Sequence, residues 1–230
     1  MHKILNIAHR GAKAYAPENT LSAFQKAMEM YADGIELDVH LCKTGEIVVI
    51  HDFTVDRTTN GSGTVSSLTL SELKTLKINS TPEEAIPLLT EVIALLPASC
   101  LINIELKGKE LAKPIMELIE HCVSKENRVY RQFIISSFDW VSLMDIHLAN
   151  PKIPLGVLTE LDLELALAFA KFIEAQSIHA YFHLLTKENT EKIQKEGIQV
   201  FAWTVNEIED IQKIKSFNVN GIISDYPDRL

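Results

Sequence analysis

The chain is poor in the residues that usually staple or span. Only three cysteines occur, Cys42, Cys100 and Cys122. An odd count without metal-like or redox-like spacing argues against a disulfide framework and points to free thiols in a reducing compartment, with the cytoplasm as the expected location. Long apolar runs are missing as well. The most apolar stretches, near Ala85 to Ile104 and Leu161 to Ala175, are cut by Pro87, Glu91, Pro97, Asp162 and Glu164, so neither reads as a membrane span. The opening Met1-His2-Lys3-Ile4-Leu5-Asn6 has no extended apolar core, so no secretory signal is expected. Positive charge is in deficit, with 22 Lys+Arg against 31 Asp+Glu and a formal net charge of -9. Such a surface repels phosphate backbones and anionic membranes, and nucleic acid is not an expected partner. A local cation cluster could still capture one small anion, because site charges act within a screening length of roughly 10 Å.

What is present is ordinary globular composition, 47% hydrophobic and 23% charged over 230 residues. Disordered, collagen-like and coiled-coil readings fall away, and roughly 200 to 250 residues is a normal size for one α/β barrel. Short β-rich runs alternate with helical patterns from end to end: Ile4–His9, Gly34–Leu41, Leu101–Leu106, Phe133–Ser136, Leu155–Leu158, Ser177–Tyr181, Gln199–Trp203 and Gly221–Ser224. Between the first two, a helix is predicted from Thr20 to about Tyr31, with Asn19 as its N-cap and Gly34 turning into the next strand. Eight strands each followed by a helix, with no repeat, low-complexity tract or Gly/Ser linker, predict a closed (β/α)8 TIM barrel, residues 1–230 forming one domain.

Residues 42–100 break the rhythm and read as a small insertion after the second strand. Lys43-Thr44-Gly45-Glu46 is a turn sequence that folds Ile47–Ile50 back as a hairpin. Asp56 to Ser67, rich in Thr, Ser and Gly, suits a surface loop, and Leu70 to Leu76 and Pro87 to Leu96 read as short helices.

Polar groups gather at strand ends. Glu36 and Asp38 lie two apart in an apolar strand, so both carboxylates face the same way, and inside a barrel they need compensation. Asn103, Glu105 and Lys107 repeat the pattern. An exposed strand with alternating polarity would look similar, but two such strands favour a bound cation, and an all-oxygen set suits Mg2+ or Ca2+ better than zinc. His9, beside Arg10, and His51, beside Asp52, each end an apolar strand. A single such histidine is usually structural; two at the expected mouth of a barrel are better read as proton-transfer groups. His40 shares the face of Glu36 and Asp38 but lies past them near the turn, and reads as structural or exposed; Glu18 ties the loop after His9 to the helix.

Ordered motifs run through most of the chain: His9-Arg10-Gly11, Pro17-Glu18-Asn19-Thr20, Gly34-Ile35-Glu36-Leu37-Asp38-Val39, His51-Asp52, Asp56-Arg57-Thr58-Thr59-Asn60-Gly61-Ser62-Gly63, Asn103-Ile104-Glu105-Leu106-Lys107, Ile135-Ser136-Ser137-Phe138, Ala202-Trp203-Thr204-Val205-Asn206 and Ile223-Ser224-Asp225-Tyr226-Pro227. In this the sequence resembles the glycerophosphodiester phosphodiesterase family. The resemblance implies that His9 and His51 are an acid/base pair, that Glu36, Asp38 and Glu105 hold one divalent cation, and that Arg10 and Lys107 hold phosphate. Trp203 is assigned as substrate-lining, although core packing fits a strand-end indole equally well. The implied substrate is a small glycerophosphodiester such as glycerophosphocholine or glycerophosphoethanolamine. Two departures fall in the insertion: Lys77 to Pro82 looks shortened, and Thr90 stands where an acidic residue is common. Rival readings are a barrel phospholipase D acting on lysophospholipids, for which no exposed apolar loop stands out, a non-catalytic phosphodiester-binding barrel, and a metal-dependent aldolase or isomerase.

Overall fold

Alternation sets the architecture: on each core strand one set of side chains faces a ring of helices and the other faces the neighbouring strands across a closed interior. The computed structural model describes residues 2–81 and 83–230. Its strands are β1 (Leu5–His9), β2 (Gly34–Leu41), β3 (Ile47–Val49), β4 (Leu101–Leu106), β5 (Phe133–Ser137), β6 (Leu155–Thr159), β7 (Ser177–Tyr181), β8 (Gln199–Trp203) and β9 (Gly221–Ser224). Its α-helices are α1 (Leu21–Glu29), α2 (Leu70–Thr75), α3 (Leu89–Leu95), α4 (Ala112–Lys125), α5 (Trp140–Ala149), α6 (Leu163–Phe172), α7 (Lys187–Lys195) and α8 (Ile208–Ser216). Eight strands run parallel in the order β1-β2-β4-β5-β6-β7-β8-β9, and β9 pairs back to β1, closing the barrel. The ninth, β3, is antiparallel to the far end of β2 and lies outside the ring. The expected strands and hairpin are all present.

Two expectations need correction. Thr20, not Asn19, caps α1: the Thr20 backbone is extended and its hydroxyl accepts from the Ala23 amide. Asn19 instead sits in the left-handed region at φ 58°, and its side chain is committed to Asp38. The last strand is followed by a single 3-10 turn, Pro227–Arg229, not an α-helix. Asn6 Nδ2 donates to the Pro227 carbonyl at 2.7 Å and Lys215 Nζ to the Leu230 carbonyl at 2.9 Å, which tie this segment to β1 and to the end of α8.

The main core lies between barrel and helices and includes Phe24, Ile35, Leu37, Ile104, Ile135, Val157, Ile178 and Ile222. The insertion has a second cluster of its own, Cys42, Val48, Ile50, Val55, Val65, Leu73, Ile78 and Ile86, and is tied to α1 where Ser22 donates from its amide and hydroxyl to Glu84. Pro82, at the end of the shortened segment, lies outside the described residues. Among the described residues no helix is long and apolar enough to cross a membrane.

Inside the barrel the floor is packed, so only the other end can open. Ile7, Ile134, Phe201 and Ile223 cluster there, and the fully buried His179 ring packs 4.9 Å from Phe201. Room for that ring comes from Gly156, where a Cβ would stand 2.6 Å from His179 Nε2. Ser177 Oγ lies 2.9 Å from the same nitrogen. Burial pushes the His179 imidazole down to about 3, so it stays neutral. On unfolding it regains its ordinary value near 6.5, and the unfolded chain then binds the extra proton. Stability held by neutral His179 is therefore present above pH 6.5 and is lost as pH falls toward 3. In urea titrations, the stability difference between wild type and His179→Gln should change by about 1.4 kcal/mol per pH unit between roughly pH 6 and 4, the wild type losing more. A difference independent of pH would refute this account.

Candidate active site

The parallel register brings the polar strand ends together. His9 pairs with Glu36 across β1 and β2, Glu36 with Asn103 and Asp38 with Glu105 across β2 and β4. Side chains at paired positions on neighbouring parallel strands point to the same side, here the interior. After His9 the chain turns through left-handed Arg10 (φ 53°) and Gly11 (φ 80°), which aims the Arg10 amide at Glu36 Oε2, 3.0 Å away. An arginine held there is strained backbone maintained by its surroundings.

Glu36, Asp38 and Glu105 each place a carboxylate oxygen within 4.8 Å of the others. Glu36 and Asp38 are almost fully buried, and among the described residues Glu36 Oε1 and Asp38 Oδ1 have no hydrogen-bond partner. Burial, then the charges of Asp38 and Glu105, holds the Glu36 carboxyl well above its ordinary value; burial and Asp38 push Glu105 up to about 7. Orphaned anionic oxygens converging in a dry site fit a hard divalent cation. Partial compensation comes from the protein. Arg10 Nε stands 3.3 Å from Asp38 Oδ2, Lys107 Nζ 2.9 Å from Glu105 Oε1 and 3.9 Å from Asp38 Oδ1, and Asn19 Nδ2 donates to Asp38 Oδ2 at 2.8 Å. Burial opposes charge on Arg10 and Lys107, but these carboxylates outweigh it and raise both.

Each histidine is oriented the same way. His9 Nδ1 donates to Asp225 Oδ1 at 2.6 Å, and Asp225 is in turn held by Asn206 Nδ2 at 2.9 Å. His51 Nδ1 donates to Asp52 Oδ1 at 2.7 Å. That leaves each Nε2 for the cavity, with His9 Nε2 4.0 Å from Glu36 Oε2. Burial, with help from Arg10, lowers His9 despite Asp225; burial, Arg10 and Lys107 lower His51 despite Asp38 and Asp52. His40 proves structural: it is buried, and its Nε2 donates to the His51 carbonyl at 3.1 Å.

A cavity of about 210 Å³ joins these groups at the C-terminal mouth, lined among others by His9, Arg10, Glu36, His51, Glu105, Lys107 and Trp203. Asp38 lies just beneath it, 1% exposed. Trp203 lines the cavity: its Nε1 donates to the His179 carbonyl at 2.9 Å and its ring meets Phe138 edge-on at 5.7 Å. The mouth is more apolar than expected. Phe138, Leu158 and Glu160 also line a side groove with Trp140, Leu161 and Leu165, where Leu161 is 85% exposed. Sequence reasoning gave no role to Asp225, Asp52, Asn206 or Arg57. Asp225 could have been found by the rule that located His9, a polar residue directly after an apolar strand; Arg57 offers no such signal because it sits in an irregular loop.

The glycerophosphoryl diester phosphodiesterase family model matches residues 9–229. The chain belongs to this family. It is 42% identical to a glycerophosphodiester phosphodiesterase of Caldanaerobacter subterraneus over 99% of this chain and 96% of that protein. It is 39% identical to a putative glycerophosphodiester phosphodiesterase of Bacillus subtilis over 96% and 94%. Among solved structures of similar shape, an Oleispira antarctica phosphodiesterase in complex with its product sn-glycerol-3-phosphate aligns with a TM-score of 0.88 at 27% identity, covering 97% of this chain and 93% of that one. The Thermotoga maritima glycerophosphodiester phosphodiesterase aligns with a TM-score of 0.83 at 31% identity over 99% and 97%.

For this family member the carboxylate cluster gives a direct expectation. Glu36→Gln, Asp38→Asn and Glu105→Gln should each weaken Mg2+ or Ca2+ binding at least about tenfold, the low end of what losing even an outer partner costs, with circular dichroism unchanged. Calorimetric titration of the cation-free protein measures this; unaltered affinity in all three variants would place the cation elsewhere.

Proposed function

We propose that the protein hydrolyses glycerophosphodiesters such as glycerophosphocholine or glycerophosphoethanolamine to sn-glycerol 3-phosphate and an alcohol, with His9 and His51 as acid/base pair and one Mg2+ or Ca2+ bound by Glu36, Asp38 and Glu105. The observation that carries this is the pair of histidines, each fixed through Nδ1 by a carboxylate, lining one cavity with Glu36 and Glu105, whose carboxylates converge with that of Asp38. The product bound by the Oleispira relative supports the substrate class. Residues 1–230 act as one unit in this reading, since the family match runs almost from end to end. Three free, buried cysteines fit a reducing compartment such as the cytoplasm.

A bound divalent cation neutralises phosphate charge and polarises the phosphorus centre. Arg10 and Lys107 bind the phosphoryl oxygens, and their contacts strengthen as negative charge builds on them. His9 Nε2 takes the proton of the attacking hydroxyl, either the glycerol 2-hydroxyl, which gives a cyclic phosphate that water later opens, or water itself. His51 Nε2 gives a proton to the alcohol oxygen as its P–O bond breaks. Both histidines are lowered in the free protein, which suits the base; the anionic substrate favours the protonated form of the acid when it binds.

The side groove beside Phe138 supports a second reading, in which a single acyl chain on the glycerol lies along Leu161 and Leu165 and the substrate is a lysophospholipid. Released alcohol measured over a panel of glycerophosphodiesters and lysophospholipids, with the cation-loaded protein, separates the two.

The acid assignment has its own test. An alkoxide needs a proton to leave and a nitrophenolate does not; a positioned acid supplies roughly 10² to 10⁴ in rate, about 2.7 to 5.4 kcal/mol of barrier. His51→Ala should therefore lose most activity on glycerophosphocholine and keep far more on a glycerophospho-nitrophenol ester, whereas His9→Ala should lose both. Selective rescue in His9→Ala would swap the roles, and rescue in neither would sink the division of labour.

A further inference from the structure

Arg57 belongs to the insertion, does not line the catalytic cavity, and has a side chain 49% exposed, yet its guanidinium makes four hydrogen bonds to two carboxylates. Nε and Nη2 donate to Asp52 Oδ2 and Oδ1 at 2.6 and 3.0 Å, and Nη1 and Nη2 donate to Glu18 Oε2 and Oε1 at 3.0 and 2.7 Å. Its partners are far less exposed, Glu18 12% and Asp52 27%, so the fork is a bidentate network that reaches from the surface toward the site and not an isolated surface ion pair. Both carboxylates are already engaged with the site: Asp52 Oδ1 accepts from His51 Nδ1 at 2.7 Å, and Glu18 Oε1 accepts from Arg10 Nη1 at 3.0 Å.

The geometry points to Arg57 as a positioning residue that locks the leaving-group acid, His51, to the phosphate-binding cation, Arg10, through one planar bridge. The reasons are geometric. His51 lies just past the antiparallel hairpin strand β3, outside the ring, while Arg10 lies just past β1, which is part of it. Besides the shared substrate, the chain His51-Asp52-Arg57-Glu18-Arg10 joins the two by side-chain hydrogen bonds alone. Among the described residues, Asp52 without Arg57 has no other side chain holding it than the imidazole it is meant to orient. Arg57 itself is anchored, because Asn79 Nδ2 donates to its carbonyl at 3.3 Å. A lysine at this position keeps the charge but cannot grip two carboxylates with a rigid fork. Loss of the bridge should leave His51 present but out of line with the departing oxygen, and small misplacements of this kind are costly in rate.

This inference rests on the reading of His51 as acid, and the experiment separates the two. With cation-saturated enzyme, kcat/KM is measured for glycerophosphocholine and for the glycerophospho-nitrophenol ester, and the ratio of nitrophenol to choline ester is taken for each variant. Arg57→Gln should raise that ratio about tenfold or more, a share of the 10² to 10⁴ a positioned acid supplies. Arg57→Lys should fall between it and the wild type. Asp52→Asn should raise the ratio too, and adding Arg57→Gln to it should raise it no further, because both act through His51. A loss common to both esters should accompany Arg57→Gln through Arg10, and it should not add to that of Glu18→Gln. Thermal midpoint and cation affinity should stay near wild type in Arg57→Gln and Arg57→Lys. An unchanged ratio in Arg57→Gln while His51→Ala shows the rescue overturns the bridge and leaves the catalytic reading standing. Rescue absent from His51→Ala itself overturns the acid assignment and the bridge with it. Additive effects in either double variant would also overturn it, since Arg57 would then act through some other group.

Discussion

Three carboxylates share a buried interior with too few partners, and much of the rest of the site answers to that. Glu36, Asp38 and Glu105 sit within 4.8 Å of one another, and two of their oxygens have no hydrogen bond. Like charges at such range in a low-dielectric site repel strongly. Arg10 and Lys107 lean on the cluster and Asn19 ties Asp38 to the loop before α1, but none of them hydrogen-bonds Glu36 Oε1 or Asp38 Oδ1. The remaining demand for positive charge makes the centre a place for a cation. The same cations that steady the cluster are then positioned to meet an anionic substrate.

The imidazoles of His9 and His51 are each fixed by a carboxylate outside the Glu36, Asp38 and Glu105 cluster, and the two arrangements differ in kind. His9 hangs on Asp225, which follows β9 and is gripped by Asn206, so its support comes from strands that close the barrel. His51 hangs on Asp52, which belongs to the insertion with its separate apolar cluster. The supports of His9 and His51 therefore belong to different packing units, the barrel and the insertion.

The strand pattern was legible because the barrel is periodic: one face of each strand meets helices, so apolar residues recur at every second position from Ile4 to Ser224. Glu36, Asp38 and Glu105 were legible for the same reason, as violations of that pattern. Asn19 was misread because an asparagine before a helix is ordinarily a cap, and nothing local reveals that a long-range contact with Asp38 has taken its side chain. The absence of a final α-helix was illegible too, since the turn at Pro227 depends on Asn6 at the other end of the chain. The apolar groove went unseen because Phe138 and Leu161 lie on separate loops, brought together only when β5 and β6 pair.

The packed floor decides how this barrel can be used. His179 and Phe201 fill the interior below the site, and Gly156 has no side chain so that the imidazole fits. Trp203 is pinned from beneath by the His179 carbonyl, so the wall facing the carboxylates is as fixed as the carboxylates themselves. The barrel therefore opens through one mouth, between an aromatic wall and an insertion that carries His51. Discrimination among phosphodiesters then falls to the two parts of the rim that barrel closure does not determine: the loops after β5 and β6, with Phe138 and Leu161, and the insertion that ends the hairpin with His51. The barrel fixes what is common to the phosphodiester, and variation in these rims can change the substituents without disturbing the charge balance at the centre.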